Sequence, residues 1–206
     1  DATKAPYKIV AKYRNNEIKP IVFPNMLKKV GDYYNKAYCL IEINDLGQQV
    51  ADAMQFELEY DNMMMVTQRG RAGQVLGGGF SGRGNQLGLR MTKGTKKIGT
   101  SNLKSLIEGD KLIINDFDII AELSTFISRG KSFEAEQGAH DDLVMCLVIF
   151  SWCANQRYFK ELTNVDVRGQ MFTEQQNAIE ADMAPFGFID DGLNDPDGNN
   201  NSFFDD

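Results

Sequence analysis

None of the apolar runs in this 206-residue sequence approaches the roughly 20 residues that a membrane-spanning helix needs. The first residues, Asp1-Ala2-Thr3-Lys4, carry no basic region followed by an apolar stretch, so no secretory signal is expected in them. Cysteine is scarce. Cys39, Cys146 and Cys153 are the three, and no two of them form a C-x-x-C pair. That excludes the common zinc and dithiol redox motifs and points to reduced thiols buried in apolar segments. A nucleotide-binding P-loop is also missing. Gly77-Gly78-Gly79 is not followed by Gly-Lys-Ser/Thr, and Lys93-Gly94-Thr95 has the order wrong, so no ATPase motif lies in these residues. No internal repeat is present, and histidine occurs once, at position 140.

Negative charge is missing from one long stretch. Between Asn62 and Thr100 there are seven Lys/Arg and no Asp or Glu. The net charge of −7 conceals this, because residues 1–100 carry 15 Lys/Arg against 9 Asp/Glu while residues 101–206 carry 7 against 20. A wholly basic stretch is a candidate contact for a polyanion, with a solvated loop as the plainer alternative.

The rest of the composition, 42% apolar and 25% charged, belongs to an ordinary globular chain of one domain with a core and a tail. Alternation over Tyr7–Tyr13 predicts a strand near a sheet edge. Pro24 opens a helix over Asn25–Tyr34, with Leu27, Val30 and Tyr34 at helical spacing. Ala37–Ile43 is a continuous apolar run broken only by Glu42, the signature of a strand buried on both faces. A helix over Leu46–Leu58 and a strand over Asn62–Val66 follow, which implies a parallel pair with a crossover. Eight glycines between Gly70 and Gly88 predict a mobile loop or a long irregular hairpin. Beyond it come a helix over Ser101–Glu108 capped by Ser101, a strand over Leu112–Ile114, a helix over Asp116–Ile127 and a small strand at Phe133–Ala135. A long helix follows over Leu143–Gln156, with Leu143, Cys146, Leu147, Phe150 and Cys153 as its apolar stripe. The expected domain is 1–160, with a glycine-rich basic insertion at 68–92. Residues 161–206 form an acidic extension, helical over Thr173–Met183 and disordered over Asp190–Asp206.

Two features point to chemistry. Glu42 lies inside a Leu-Ile-x-Ile strand, where an ionised carboxylate costs several kcal/mol to bury unless it is paired or bound to a cation. It also falls near the strand's C-terminal end, where open α/β sheets place their sites. His140-Asp141-Asp142 stands at the head of an apolar helix. One Asp there suffices as a cap. Two adjacent carboxylates and an imidazole concentrate ligands for a hard divalent ion such as Mg²⁺, which takes one or two protein carboxylates and fills its other positions with water and phosphate oxygens.

Three segments in order carry a resemblance. Leu40-Ile41-Glu42-Ile43-Asn44 is similar to the glutamate strand motif of the large-terminase nuclease of T4-like tailed phages. Gly138-Ala139-His140-Asp141-Asp142-Leu143-Val144-Met145 resembles that family's last acidic motif. Between them, Lys93 to Gly99 and Leu103 to Glu108 resemble its connecting segment. The match runs over residues 8–156. It implies an α/β, RNase H-like (resolvase-like) mixed sheet flanked by helices, and a metal-dependent endonuclease that cuts concatemeric double-stranded viral DNA by two-metal hydrolysis with Mg²⁺ or Mn²⁺. Glu42 and Asp142 become the catalytic and metal-binding residues. Asp141 is left to cap the helix or act through water, and His140 supports a carboxylate or the attacking water.

The family's first catalytic aspartate sits on a strand upstream of the segment matching Lys8–Tyr13, and this sequence offers no equivalent of it. Arg69, Arg71, Arg83, Arg90, Lys93, Lys96 and Lys97 are the candidate contacts to the DNA backbone. The resemblance further implies a packaging ATPase domain in the same protein, portal and small-terminase partners, no membrane, and the cytoplasm of an infected bacterium. A non-catalytic DNA-binding and motor-coupling module, or a junction-resolving nuclease of similar fold, is the alternative.

Overall fold

The structure, a computed structural model, describes residues 1–2, 4–70, 73–77, 84–130 and 132–163. Arg71, Arg83 and the extension from residue 164, with its expected helix over Thr173–Met183, lie outside the described residues.

The fold is organised around one apolar helix, α5 (Asp142–Ala154), whose Leu143, Val144, Leu147, Val148, Ser151, Trp152, Cys153 and Ala154 are all buried. Its first turns pack with Leu103, Leu112 and Ile119, and its last turn with Met64, Val66, Leu76, Leu89 and Phe159. A third apolar group, Ile43, Ala51, Met54, Tyr60, Met63 and Leu87, anchors the segment carrying Glu42. A helix buried this widely has no polar face, which is why its sequence reads as nearly unbroken apolar residues.

Around it the strands are short. β1 (Tyr7–Lys8) runs parallel to β5 (Leu112–Ile113), with Tyr7 opposite Leu112. The strand expected over Tyr7–Tyr13 therefore ends at Lys8; its alternation is imperfect, and Val10 is exposed. α1 (Phe23–Tyr33) begins with Pro24 in its first turn, where a missing N–H costs nothing. The expected strand at Ala37–Ile43 is an extended segment held at two points, Cys39 beside Met63 and Glu42 beside Leu89, both parallel. α2 (Gly47–Asp52) continues into a π-helical turn (Ala53–Glu57), so helix lies between Cys39 and its parallel partner, as the crossover reading requires.

β2 (Val66–Arg69) lies between β3 (Gly73–Leu76) and β4 (Asn85–Gln86), antiparallel to both. Both ends of the glycine-rich stretch are thus paired strands. α3 (Lys93–Glu108) starts eight residues before the expected Ser101. The Thr92 hydroxyl accepts the Thr95 N–H at 3.1 Å and starts the helix there. Gly99, inside this helix, is where α3 meets α5. α4 (Phe117–Ser124) is capped by Asp116, and stops short of the expected Ile127 because β6 (Phe126–Arg129) pairs with β7 (Ser132–Ala135). α6 (Arg157–Thr163) closes the described chain.

The result is a mixed α/β fold, as expected from the sequence. Among the described residues no helix is long and apolar enough to cross a membrane. One stripe residue is corrected. Cys146 was expected in the core but is exposed, because α5 buries positions 143, 144, 147 and 148 and turns 142 and 146 outward. All three cysteines are free thiols.

Candidate active site

Glu42 is half-buried, and its backbone is fixed from both sides. The Leu89 N–H donates to the Ile41 carbonyl at 2.8 Å, and the Ile43 N–H donates to the Leu89 carbonyl at 3.0 Å. Two residues on, Asn44 grips Met91 through both its amide atoms, accepting from the Met91 N–H at 2.8 Å and donating to its carbonyl at 3.1 Å. Two glycines allow this crowding. A Cβ on Gly47 would collide with the Glu42 carbonyl oxygen, and one on Gly88 (φ +126°) with the Ile41 carbonyl oxygen.

The acidic doublet sits at the head of α5. Neither aspartate caps the helix: Asp141 occupies the N-cap position, but its side chain accepts from no helix N–H and instead takes a hydrogen bond from Lys96. Glu122 of α4, almost fully buried, does so instead. Its Oε2 accepts the Leu143 N–H at 2.7 Å and the Val144 N–H at 3.2 Å. A buried carboxylate on two helix-terminal N–H groups satisfies the orphan donors and the helix dipole together. That leaves Asp141 and Asp142 available. Asp142 is 70% exposed at its side chain and Asp141 is 28% exposed.

The two motifs converge. Cys146, one turn beyond Asp142, lies within reach of the negative charges of Glu42, Asp142 and Glu122. Glu42 is raised above its ordinary 4.5 by burial, is opposed by Lys96, and is pushed further by Asp45 and Asp141. Lys96 reaches Asp141 at 3.4 Å and lies over the Phe126 ring at 5.6 Å. Arg14 faces Glu122 at 3.3 Å and Asp142 at 3.7 Å. The acidic cluster thus comes with two cations already built in.

Burial at Glu42 has a consequence for stability. A raised folded-state pKa means that the folded protein holds the proton more tightly than the unfolded chain. Stability is then lost as pH rises from 4.5 through the raised value. Glu42→Gln removes that loss. The variant should unfold at higher urea than the parent near neutral pH, with the difference vanishing below 4.5. A variant less stable than the parent near neutrality contradicts the assignment of a strained buried charge.

The basic residues divide. Arg69 at the end of β2, Arg90 after β4, and Lys93 and Lys97 in the first turns of α3 are exposed and in no ion pair among the described residues. Lys96, expected among them, points into the acidic cluster with its side chain only 19% exposed. His140 is exposed and makes no hydrogen bond among the described residues. Residues 1–150 match the family described as the terminase RNase H-like domain. The chain belongs to that family. A terminase domain of this fold has a nuclease-type role in packaging.

The donor chemistry of this terminase domain suits a hard cation. Carboxylate oxygens are what Mg²⁺ and Mn²⁺ select, and one or two from the protein suffice for Mg²⁺. Among the described residues no group of three or more His, Cys, Asp or Glu side chains closes on one point. Sequence reasoning missed Glu122 and Arg14. Neither lies in a motif, and their signal was faint: an acidic residue within a short apolar run, Ile119-Ile120-Ala121-Glu122-Leu123.

Proposed function

We propose that this terminase domain is a metal-dependent endonuclease that cuts concatemeric double-stranded viral DNA during genome packaging. The observation that carries the reading is an acidic doublet relieved of capping by Glu122, with Glu42 near enough to feel the Asp141 charge. Glu42 and Asp142 hold a divalent ion, with Asp141 beside them acting directly or through water. A Mg²⁺ or Mn²⁺ ion held by Glu42 and Asp142 would supply the charge that activates a water and stabilises the leaving oxygen. Lys96 balances the carboxylates until the ion and the phosphate arrive. His140 is exposed at the edge of the doublet, where it can orient the attacking water.

Arg69, Arg90, Lys93 and Lys97, with Arg71 and Arg83 from the same basic stretch, follow the DNA backbone. Each phosphate contact contributes roughly 0.9 to the slope of log affinity against log salt. Lys93→Ala and Lys97→Ala should therefore each weaken duplex binding equally across unrelated sequences and lower that slope by about 1, read by fluorescence anisotropy over a salt series. An unchanged slope removes these two lysines from the interface.

The working partners in this reading are duplex DNA, a packaging ATPase domain of the same protein, the portal and the small terminase, all in the cytoplasm of an infected bacterium. A second reading, a DNA-binding and motor-coupling module without chemistry, is favoured by the lack of a three-ligand cluster among the described residues. Cleavage of linear duplex and of a four-way junction, each with Mg²⁺, Mn²⁺ or chelator, separates the possibilities. Metal-dependent cutting of linear duplex supports the packaging nuclease, and preference for the junction supports a resolving enzyme. Binding without cutting under every condition supports the module.

A further inference from the structure

Glu122 stands outside every sequence motif, yet it is the most buried carboxylate described, at 6% exposure. Its two oxygens do different things. Oε2 takes both helix-terminal N–H groups of α5. Oε1 is buried without a hydrogen bond and faces the Arg14 guanidinium at 3.3 Å. The other end of that guanidinium lies 3.7 Å from Asp142. One arginine is therefore shared between a buried carboxylate and the exposed one proposed to hold a cation.

We propose that Glu122 is a positioning residue for the Asp141-Asp142 doublet, acting through its hold on Arg14: it keeps the guanidinium from closing on Asp142 and neutralising it. The inference rests on the metal-binding reading of Asp142. The helix cap alone needs only an acceptor, which a glutamine carbonyl provides. Restraining Arg14 needs the negative charge. Buried beside α5, that charge is little screened, so it outcompetes the exposed Asp142 for the arginine. Remove it and Arg14 has one carboxylate left to pair with, the one a divalent ion would use.

The two roles separate experimentally. In the 206-residue chain, Glu122→Gln should keep α5 capped, with slow amide exchange at Leu143 and Val144, yet bind Mn²⁺ roughly 10-fold more weakly by titration calorimetry, within the range for residues behind metal ligands. Adding Arg14→Gln to Glu122→Gln should bring the Mn²⁺ affinity back to within about threefold of the parent. A purely structural role predicts no such rescue, and failure of the double variant to recover overturns the proposal. So does a Glu122→Gln variant that binds Mn²⁺ as the parent does.

A metal-free arm keeps this apart from the nuclease reading. The guanidinium protons of Arg14 should stay slow to exchange in Glu122→Gln, now held by Asp142, and become fast only in Glu122→Gln combined with Asp142→Asn. Fast exchange in Glu122→Gln alone overturns the proposal whatever the metal does. A parent that binds no Mn²⁺ but shows this exchange pattern sinks the metal reading and leaves the charge competition at Arg14 standing.

Discussion

Gly99→Val is expected to abolish the folded domain or leave it several kcal/mol weaker. α3 and α5 meet at Gly99, where an added Cβ would lie 2.6 Å from the Val148 carbonyl oxygen and 2.7 Å from its side chain. The first neighbour is backbone and cannot swing aside. Val148 itself is fully buried in the middle of α5. A glycine inside a helix gives up about 1 kcal/mol of propensity relative to alanine, so Gly99→Ala recovers some of what the collision costs and Gly99→Val recovers less. Overpacking of this kind typically costs about 1–3 kcal/mol, occasionally more, against a total stability of roughly 5–15 kcal/mol. The same contact sets Lys96, one turn earlier on α3, against Asp141 at the head of α5. Equilibrium urea unfolding checks the prediction. A Gly99→Val variant as stable as the parent shows that the two helices do not pack as described.

Replacing Asp142 or Glu42 by alanine should have the largest effect on chemistry. A metal ion contributes several kcal/mol of charge stabilisation in the transition state, which corresponds to roughly 10²–10⁴-fold in rate. Losing either carboxylate should remove most of that. Asp142 is 70% exposed at its side chain, makes no backbone cap and, among the described residues, pairs with Arg14 at 3.7 Å, so Asp142→Ala should remain folded. Glu42→Ala relieves a buried charge and should fold as well. Single-turnover cleavage of plasmid, with circular dichroism to confirm folding, gives the comparison. Folded variants that cut at the parent's rate refute the assignment of these two residues.

Much of this was legible because physics leaves marks in sequence where a residue violates its surroundings. Glu42 is an acid in an apolar strand, and two adjacent aspartates exceed what one helix cap requires. The structure sets them near one another, with Asp141 among the charges that act on Glu42. α5 was readable because a helix buried on most sides must be apolar throughout. What could not be read has equally physical causes. Ser101 is a plausible cap, yet α3 begins eight residues earlier behind Thr92, and only the tertiary contact with Val148 explains why Gly99 belongs inside a helix.

Lys96 was assigned to the DNA surface because charge counts carry no direction; its neighbours Lys93 and Lys97 are exposed while it turns inward. Glu122 could not be recognised as the cap of α5 because it is donated from another helix, about twenty residues earlier in the chain. The parallel strand at Ala37–Ile43 was correct in sense and in its crossover, but its length was overstated. Apolar runs report burial, and here burial comes from side chains around two isolated bridges rather than from a long ladder.

The central claim is that Glu42 and the Asp141-Asp142 doublet together hold a divalent cation. It is tested most directly by adding substoichiometric Mn²⁺ to the isotopically labelled chain and mapping which backbone resonances broaden. The account predicts broadening centred on Glu42, Asp141 and Asp142, extending to Lys96 and Cys146 and absent in Asp142→Ala. Broadening centred elsewhere, or unchanged by that substitution, would contradict it.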